Sequence, residues 1–252
     1  MRPKALVTGA SHRVGRAIAV ELAASGCDVG IHFRGSEEGA VETAEQCRAK
    51  GADAWVFRAD LAAASDVAAL VSEVERRFGA LDVLVNNASA FSPCRFEDLT
   101  DETWSQMLDV NLVAPFRLSR DLLPLLRASS PLAEVRGGLS NGVVVHLCDI
   151  GAERPIREHA HYSVSKAGLV MLVRAMAVEL APEVRTHGVS PGQVAWPPSY
   201  DEAKRTRLAA RIPMGREGRP EDVANLVRFL VWEGHYLNGA IVPVDGGLSC
   251  KY

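Results

Sequence analysis

No stretch of the 252-residue chain approaches the roughly 20 consecutive apolar residues that a membrane-spanning helix requires. The opening Met1-Arg2-Pro3-Lys4 leads into no apolar run of secretory-leader length, so a cytoplasmic location is expected. Cysteine is scarce and scattered: Cys27, Cys47, Cys94, Cys148 and Cys250 form no CxxC pair. That spacing argues against a zinc site or a disulfide framework and leaves free thiols in a reducing compartment. An excess of positive charge is also missing. With 28 Lys and Arg against 31 Asp and Glu the net charge is −3, whereas a nucleic-acid partner would call for a basic stripe. Internal repeats and low-complexity tracts are absent as well.

What is present is ordinary globular material, with 48% hydrophobic and 23% charged residues. A chain this long buries roughly three quarters of its unfolded surface, which suits one large domain over residues 1–252. Short apolar, β-branched runs lie near 5–8, 28–33, 54–58, 83–86, 143–147, 185–189 and 240–244. Helix-like stretches near 15–25, 37–50, 65–78, 102–128, 161–181 and 220–232 alternate with them. Such alternation implies βαβ units, hence an α/β fold with a doubly wound parallel sheet of about seven strands and helices on both faces. The strands lack polar alternation, as expected when both sheet faces are covered.

Two stretches break the rhythm. Residues 129–141 are turn-rich and read as a surface excursion. Residues 193–219 carry Pro197, Pro198 and Pro213 just after Pro191, and follow a late strand. Ligands of such sheets sit beyond the carboxyl ends of the strands, so this segment is expected to form a substrate lid.

The run Val7-Thr8-Gly9-Ala10-Ser11-His12-Arg13-Val14-Gly15 joins the first strand to the first helix. Gly9 can take the unusual angles of the turn, and Gly15 lets helix and strand approach closely. The helix N-terminus then offers unpaired N–H groups to a pyrophosphate. A glycine pair alone is a weak signal; its position after the first strand gives it weight. The second strand ends Ile31-His32-Phe33-Arg34-Gly35-Ser36, with no acidic side chain for the adenosine ribose of NAD. Arg34 and Ser36, supported by His32 and Arg13, suit a 2′-phosphate instead, because guanidinium forks match phosphate geometry. NADPH (or NADP+) is therefore the expected cofactor; the plainer reading of Arg34 is a solvated loop charge.

Tyr162-Ser163-Val164-Ser165-Lys166 begins a helix, and residues four apart share a face. A free tyrosine, with a pKa of about 10, exchanges protons poorly at neutral pH. A nearby ammonium would lower that value and make the phenol a usable acid. Tyr-x-x-x-Lys is common by chance and gains meaning only from the loop that precedes it.

In order and at family spacing, Thr8-Gly9…Gly15, Asp60-Leu61, Asn86-Asn87-Ala88, Asn111, Tyr162…Lys166, Pro191-Gly192 and Asp245-Gly246-Gly247 resemble the short-chain dehydrogenase/reductase family over essentially the whole chain. That resemblance implies a Rossmann fold and hydride transfer from a nicotinamide. It implies Tyr162 as acid, Lys166 on the nicotinamide ribose and Asn111 holding a water in a proton relay. Cofactor contacts are expected from Gly9, Ser11, Arg13, Val14 and Gly15, then Phe33, Arg34, Ser36, Asp60 and Leu61. Asn87, Ala88, Ser89, Tyr162, Lys166, Pro191, Gly192 and Val194 complete that set. A homotetramer is implied as well.

Three positions depart from the common family pattern. Arg13 stands at the usual middle glycine of the loop, Ser89 at the usual glycine after Asn-Asn-Ala, and Asp149 where a catalytic serine is usual. These departures, with the string Asn86-Asn87-Ala88-Ser89-Ala90-Phe91, resemble pteridine reductases and bacterial dihydromonapterin reductases. The expected catalytic set is Asp149, Tyr162, Lys166 and Asn111, and the expected substrate contacts are Arg13, Ser89, Phe91, Asp149 and Tyr162. Reduction of a C=N bond in a pterin needs hydride at carbon and a proton at nitrogen, which a carboxyl paired with a phenol suits. Phe91 would stack on the flat ring. The plainer readings are a capping carboxylate for Asp149, core packing for Phe91 and pyrophosphate binding alone for Arg13. A carbonyl or 3-oxoacyl reductase is the alternative enzyme, and an NADP-binding regulator the alternative of another class. His146, His159 and His161 match no metal-ligand spacing, so no metal is expected, and Cys148 reads as a packed thiol.

Overall fold

The computed structural model describes residues 2–129, 141–196 and 200–251. Seven strands form one parallel sheet: β1 (Lys4–Val7), β2 (Asp28–Phe33), β3 (Ala54–Arg58), β4 (Val83–Asn86), β5 (Gly142–Leu147), β6 (Val184–Pro191) and β7 (Ile241–Val244). Their order across the sheet is β3-β2-β1-β4-β5-β6-β7. Winding thus runs outward from β1 to β3, then returns to start again at β4 beside β1. That reversal opens a crevice at the carboxyl ends of β1 and β4, where doubly wound sheets bind ligands.

Side chains alternate between two separate cores because successive strand residues point to opposite faces. Ala5 and Val7, Val83 and Val85, and Val143 and Val145 pack with Ile18 and Leu22 of α1 (Arg13–Ala24). α2 (Glu37–Ala49) adds Ala40 and Ala44 there, and α9 (Pro220–Trp232) adds Val223, Val227 and Leu230. Leu6, Leu84 and Val144 face the other way, onto Val67, Leu70 and Val74 of α3 (Ala64–Phe78).

The helix expected over 102–128 is broken. α4 (Asp101–Leu108) is followed by a π-turn at Asp109–Val113, then α5 (Ala114–Asp121) and α6 (Leu123–Ala128). Pro115 and Pro124 stand in the first turns of α5 and α6. Proline lacks the N–H that a continuous helix would use, and a first turn is where that loss costs least. The π-turn carries Asn111. α7 (Ala160–Glu179) follows β5, and α8 (Glu202–Ala209), which the sequence did not foreshadow, lies within the expected lid. An isolated parallel bridge joins Val194 to Gly218, near the two ends of that expected segment. The expected excursion over 129–141 lies almost wholly outside the described residues, save Ser129 and Asn141.

Three histidines are sealed inside the sheet layers. Burial holds His32 and His187 down from 6.5 to about 4, the Arg185 charge adding to the effect at His187. Burial, then the Lys166 charge, holds His146 down to about 3. A histidine kept neutral by the fold but free to protonate when unfolded stabilises the protein fully only above about 6.5, and that stability drains as pH falls through the folded values. Unfolding free energy should therefore drop between pH 6.5 and 4, by on the order of 1–3 kcal/mol for His32 alone. Urea denaturation of His32→Gln against wild type at several pH values checks this, the variant showing the shallower acid dependence.

Candidate active site

The carboxyl ends of β1 and β4 are pinned together by one hydroxyl. Thr8 Oγ1 accepts hydrogen bonds from the main-chain N–H of Asn87 (2.9 Å) and Ala88 (3.0 Å), and donates to Val85 O. Asn87 Nδ2 returns bonds to the carbonyls of Thr8 (2.8 Å) and Gly9 (3.0 Å). At Gly9 the chain turns with φ +62, and a Cβ there would stand 2.9 Å from Ala88 Cα. Gly15 is enclosed more tightly still, a Cβ running into Gly9 O and Asn87 Nδ2 as well as Ala10 Cα at 2.9 Å. These absent side chains leave a backbone cradle at the N-terminus of α1, the kind of site that takes a pyrophosphate.

Arg13 sits at φ +52, a left-handed conformation that costs a non-glycine residue about 1 kcal/mol. The usual family glycine at this place is thus explained by the backbone. The arginine keeps the conformation and extends its guanidinium to the carbonyl of Ala195, beyond β6.

His32 does not serve the 2′-phosphate. It is 2% exposed, its Nδ1 accepts from Gly9 N–H at 3.1 Å, and its Nε2 pairs with Ala59 O. Neutral and buried, it braces the phosphate loop against β2. Arg34 and Ser36 are exposed on the wall of the cleft, beside Phe33, with Asp60 and Leu61 next to them.

Asp149 uses both oxygens. Oδ1 accepts from Gly151 N–H at 2.6 Å, capping the short 3-10 turn Ile150–Ala152, and Oδ2 accepts from Tyr162 Oη at 2.8 Å. The capping role and the catalytic placement are therefore the same side chain. Tyr162 is 5% exposed and Lys166 2%. Lys166 Nζ donates to Leu147 O at 2.7 Å and lies 5.7 Å from the centre of the tyrosine ring. The expected lowering of the phenol pKa is not what this arrangement produces. Burial, then the negative charge of Asp149 and its hydrogen bond, push Tyr162 well above its ordinary value. Burial also lowers the Lys166 ammonium, with Asp149 and then Cys148 opposing it. The phenol is thus held protonated.

Asn111 is completely buried and stands behind the cleft rather than on its wall. Its Oδ1 accepts from Ala90 N–H (2.8 Å) and Ser89 Oγ (3.1 Å), while Nδ2 donates to Ala90 O (3.0 Å) and Ser165 Oγ (3.0 Å). Every hydrogen-bonding position of the amide is filled. The side chain clamps the segment after β4 to α7 and has none left for a relay water. Beyond that clamp Phe91 is 57% exposed and edge-on to Tyr162, 4.8 Å between ring centres. Core packing does not account for it. Its face stacks on His159 at 4.4 Å, a partner that the sequence could have indicated, since His159 precedes Tyr162 by one helical turn.

Apart from Asn111, every expected cofactor, substrate and catalytic residue borders one cleft of about 1320 Å³. A single small-ligand site spans roughly 300–1,000 Å³, so this cleft has room for a dinucleotide together with a substrate. Cys148 is buried, and burial pushes its thiol up to about 12, followed by opposing effects of Lys166 and Asp149. It packs as a buried thiol at the edge of the cleft.

The family described as enoyl-(acyl carrier protein) reductase matches residues 9–249. The chain belongs to the short-chain dehydrogenase/reductase family. Two similar relatives of this reductase are 3-oxoacyl-[acyl-carrier-protein] reductases FabG. That of Staphylococcus aureus (strain Mu50 / ATCC 700699) is 32% identical, covering 98% of each chain. That of Staphylococcus epidermidis (strain ATCC 12228 / FDA PCI 1200) is 30% identical over 98% of this chain and 99% of the relative. Among solved structures, acetoin dehydrogenase YohF from Salmonella typhimurium superposes with a TM-score of 0.89 at 28% identity, covering 100% of this chain and 98% of its own. The chain is accordingly an NAD(P)H-dependent short-chain oxidoreductase. None of these relatives is a pteridine reductase.

Replacing Asp149 by Asn removes the charge but keeps an acceptor for Tyr162. The tyrosine pKa should then fall toward its ordinary value. Tyrosinate absorbance titrated in Asp149→Asn and in wild type, each minus its Tyr162→Phe counterpart, reads the shift directly.

Proposed function

We propose that this short-chain oxidoreductase uses NADPH to reduce a C=N bond in a flat pterin ring. The observation that carries the reading is the 2.8 Å hydrogen bond from Tyr162 to Asp149, a carboxylate where the family usually has a serine. Reducing a ketone builds negative charge on oxygen, and a carboxylate beside that oxygen opposes it. Reducing a C=N bond passes through an electron-poor, protonated nitrogen, which the same carboxylate favours.

NADPH supplies the hydride when bound. Tyr162 donates its phenol proton to the ring nitrogen next to the carbon that receives the hydride. Asp149, fixed by Gly151 through its other oxygen, orients that proton through the shared hydrogen bond, and a proton from solvent water restores the phenol afterwards. Lys166, buried beside the pair, offsets its negative charge. Phe91, backed by His159, offers its edge and remaining face to a planar ring. Asn111 sets the position of Ser89 and Ala90, and through them of Phe91.

The FabG relatives favour a second reading, reduction of a 3-oxoacyl or other carbonyl group, and speak for it more than for a pterin. NADPH oxidation with dihydropterins, simple ketones and 3-oxoacyl thioesters separates the two. Under the pterin reading, Asp149→Ser loses about a hundredfold in pterin turnover while gaining on ketones. Ketone turnover by wild type without pterin turnover would transfer the assignment to the carbonyl reading. Preference for NADPH rests on Arg34 and Ser36. Arg34→Ser should raise KM for NADPH by about tenfold, with KM for NADH nearly unchanged.

A further inference from the structure

Charge in the cleft is opposite to charge in the chain. The protein carries −3 overall, yet the cleft wall holds five arginines and two lysines against only two carboxylates, Asp60 and Asp149. Arg13 and Arg34 belong to the nucleotide end. Lys166 is buried at the catalytic centre. Four cations remain: Arg154, Arg157, Arg211 and Lys251.

These four come from separate parts of the chain but border the same cleft. Arg154 and Arg157 lie between the Asp149 turn and Tyr162, where Glu158 O accepts from Cys94 N–H (2.7 Å) on the segment beyond Phe91. Arg211 leaves the lid directly after α8, where Ile212 packs on Gly246 and Met214 N–H bonds Gly246 O. Lys251 follows that same turn, and its carbonyl accepts from the Arg154 guanidinium. All four are exposed, and no carboxylate pairs with any of them among the described residues. Elsewhere nine arginines make ten ion pairs, none of them on the cleft wall. A concave wall of one sign focuses its field into the cleft and raises the local concentration of counter-charged ligand.

We propose that the substrate carries an anionic tail, a carboxylate or a phosphate, held by Arg154, Arg157, Arg211 and Lys251 while the reducible group lies at Tyr162. The inference refines the pterin reading but is tested independently of it. Calorimetric titration of the enzyme–NADP+ complex compares two matched pairs: dihydrofolate with dihydrobiopterin, and a 3-oxo acid with its methyl ester. Wild type should bind the anionic member of at least one pair about tenfold more tightly, with the advantage shrinking in added salt. The double variant Arg157→Gln/Arg211→Gln should erase that advantage and leave the neutral member unchanged. Preference for the 3-oxo acid with no binding of either pterin would support the anionic tail while removing the pterin. Equal affinity within both pairs, or equal losses for both members in the variant, would overturn the inference.

Discussion

The Thr8 hydroxyl and the Asn87 amide hold together two strand ends that the topology brings side by side from distant parts of the chain. Because winding reverses at β1, everything that touches the nucleotide must be assembled across that seam. The phosphate loop springs from one side and the segment bearing Ser89, Ala90 and Phe91 from the other. Four short hydrogen bonds, made by groups with little exposure to water, fix the two sides relative to each other. Each is worth about 1 kcal/mol net, but leaving any partner unsatisfied costs more. His32 continues the same logic one strand further out, bonding Gly9 on one side and Ala59 on the other.

Catalytic chemistry is layered on that seam through a single carboxylate. Asp149 is both the cap of a short turn and the acceptor for Tyr162, so its position is not free to adapt. The turn fixes one oxygen and thereby aims the other. Charge follows from geometry here: the phenol is kept protonated by the group that holds it in place, while the ammonium four residues on is spent on Leu147 O.

Much of the fold was legible because its signals are local and repetitive. Apolar runs such as 29–31 and 83–85 can only be strands covered on both faces, and the spacing between them leaves room only for helices. The cleft residues were legible for another reason: glycine, Asn-Asn-Ala and Tyr-x-x-x-Lys mark positions where backbone or side chain has no alternative. What stayed hidden depends on contacts between distant parts of the chain. The inward turn of His32 and the filled amide of Asn111 require knowing which surfaces meet. The direction of the Tyr162 shift was hidden likewise, since pairing Asp149 and Lys166 with the phenol does not say that burial and the carboxylate outweigh the ammonium. The π-turn at Asp109–Val113 was not read from the sequence, although Asp, Val and Asn there are weak helix formers.

That π-turn has a geometric consequence. Inserting one residue beyond the regular α-helical count advances the phase of everything after it by about 100°. α4 turns Met107 toward Asn111, whereas α5 presents Ala114 and Leu118 to the core below the sheet. An unbroken helix would serve one of these orientations and misdirect the other. The extra residue acts as a mechanical clutch, disengaging the rotation of the structural helix from that of the helix beside the catalytic centre.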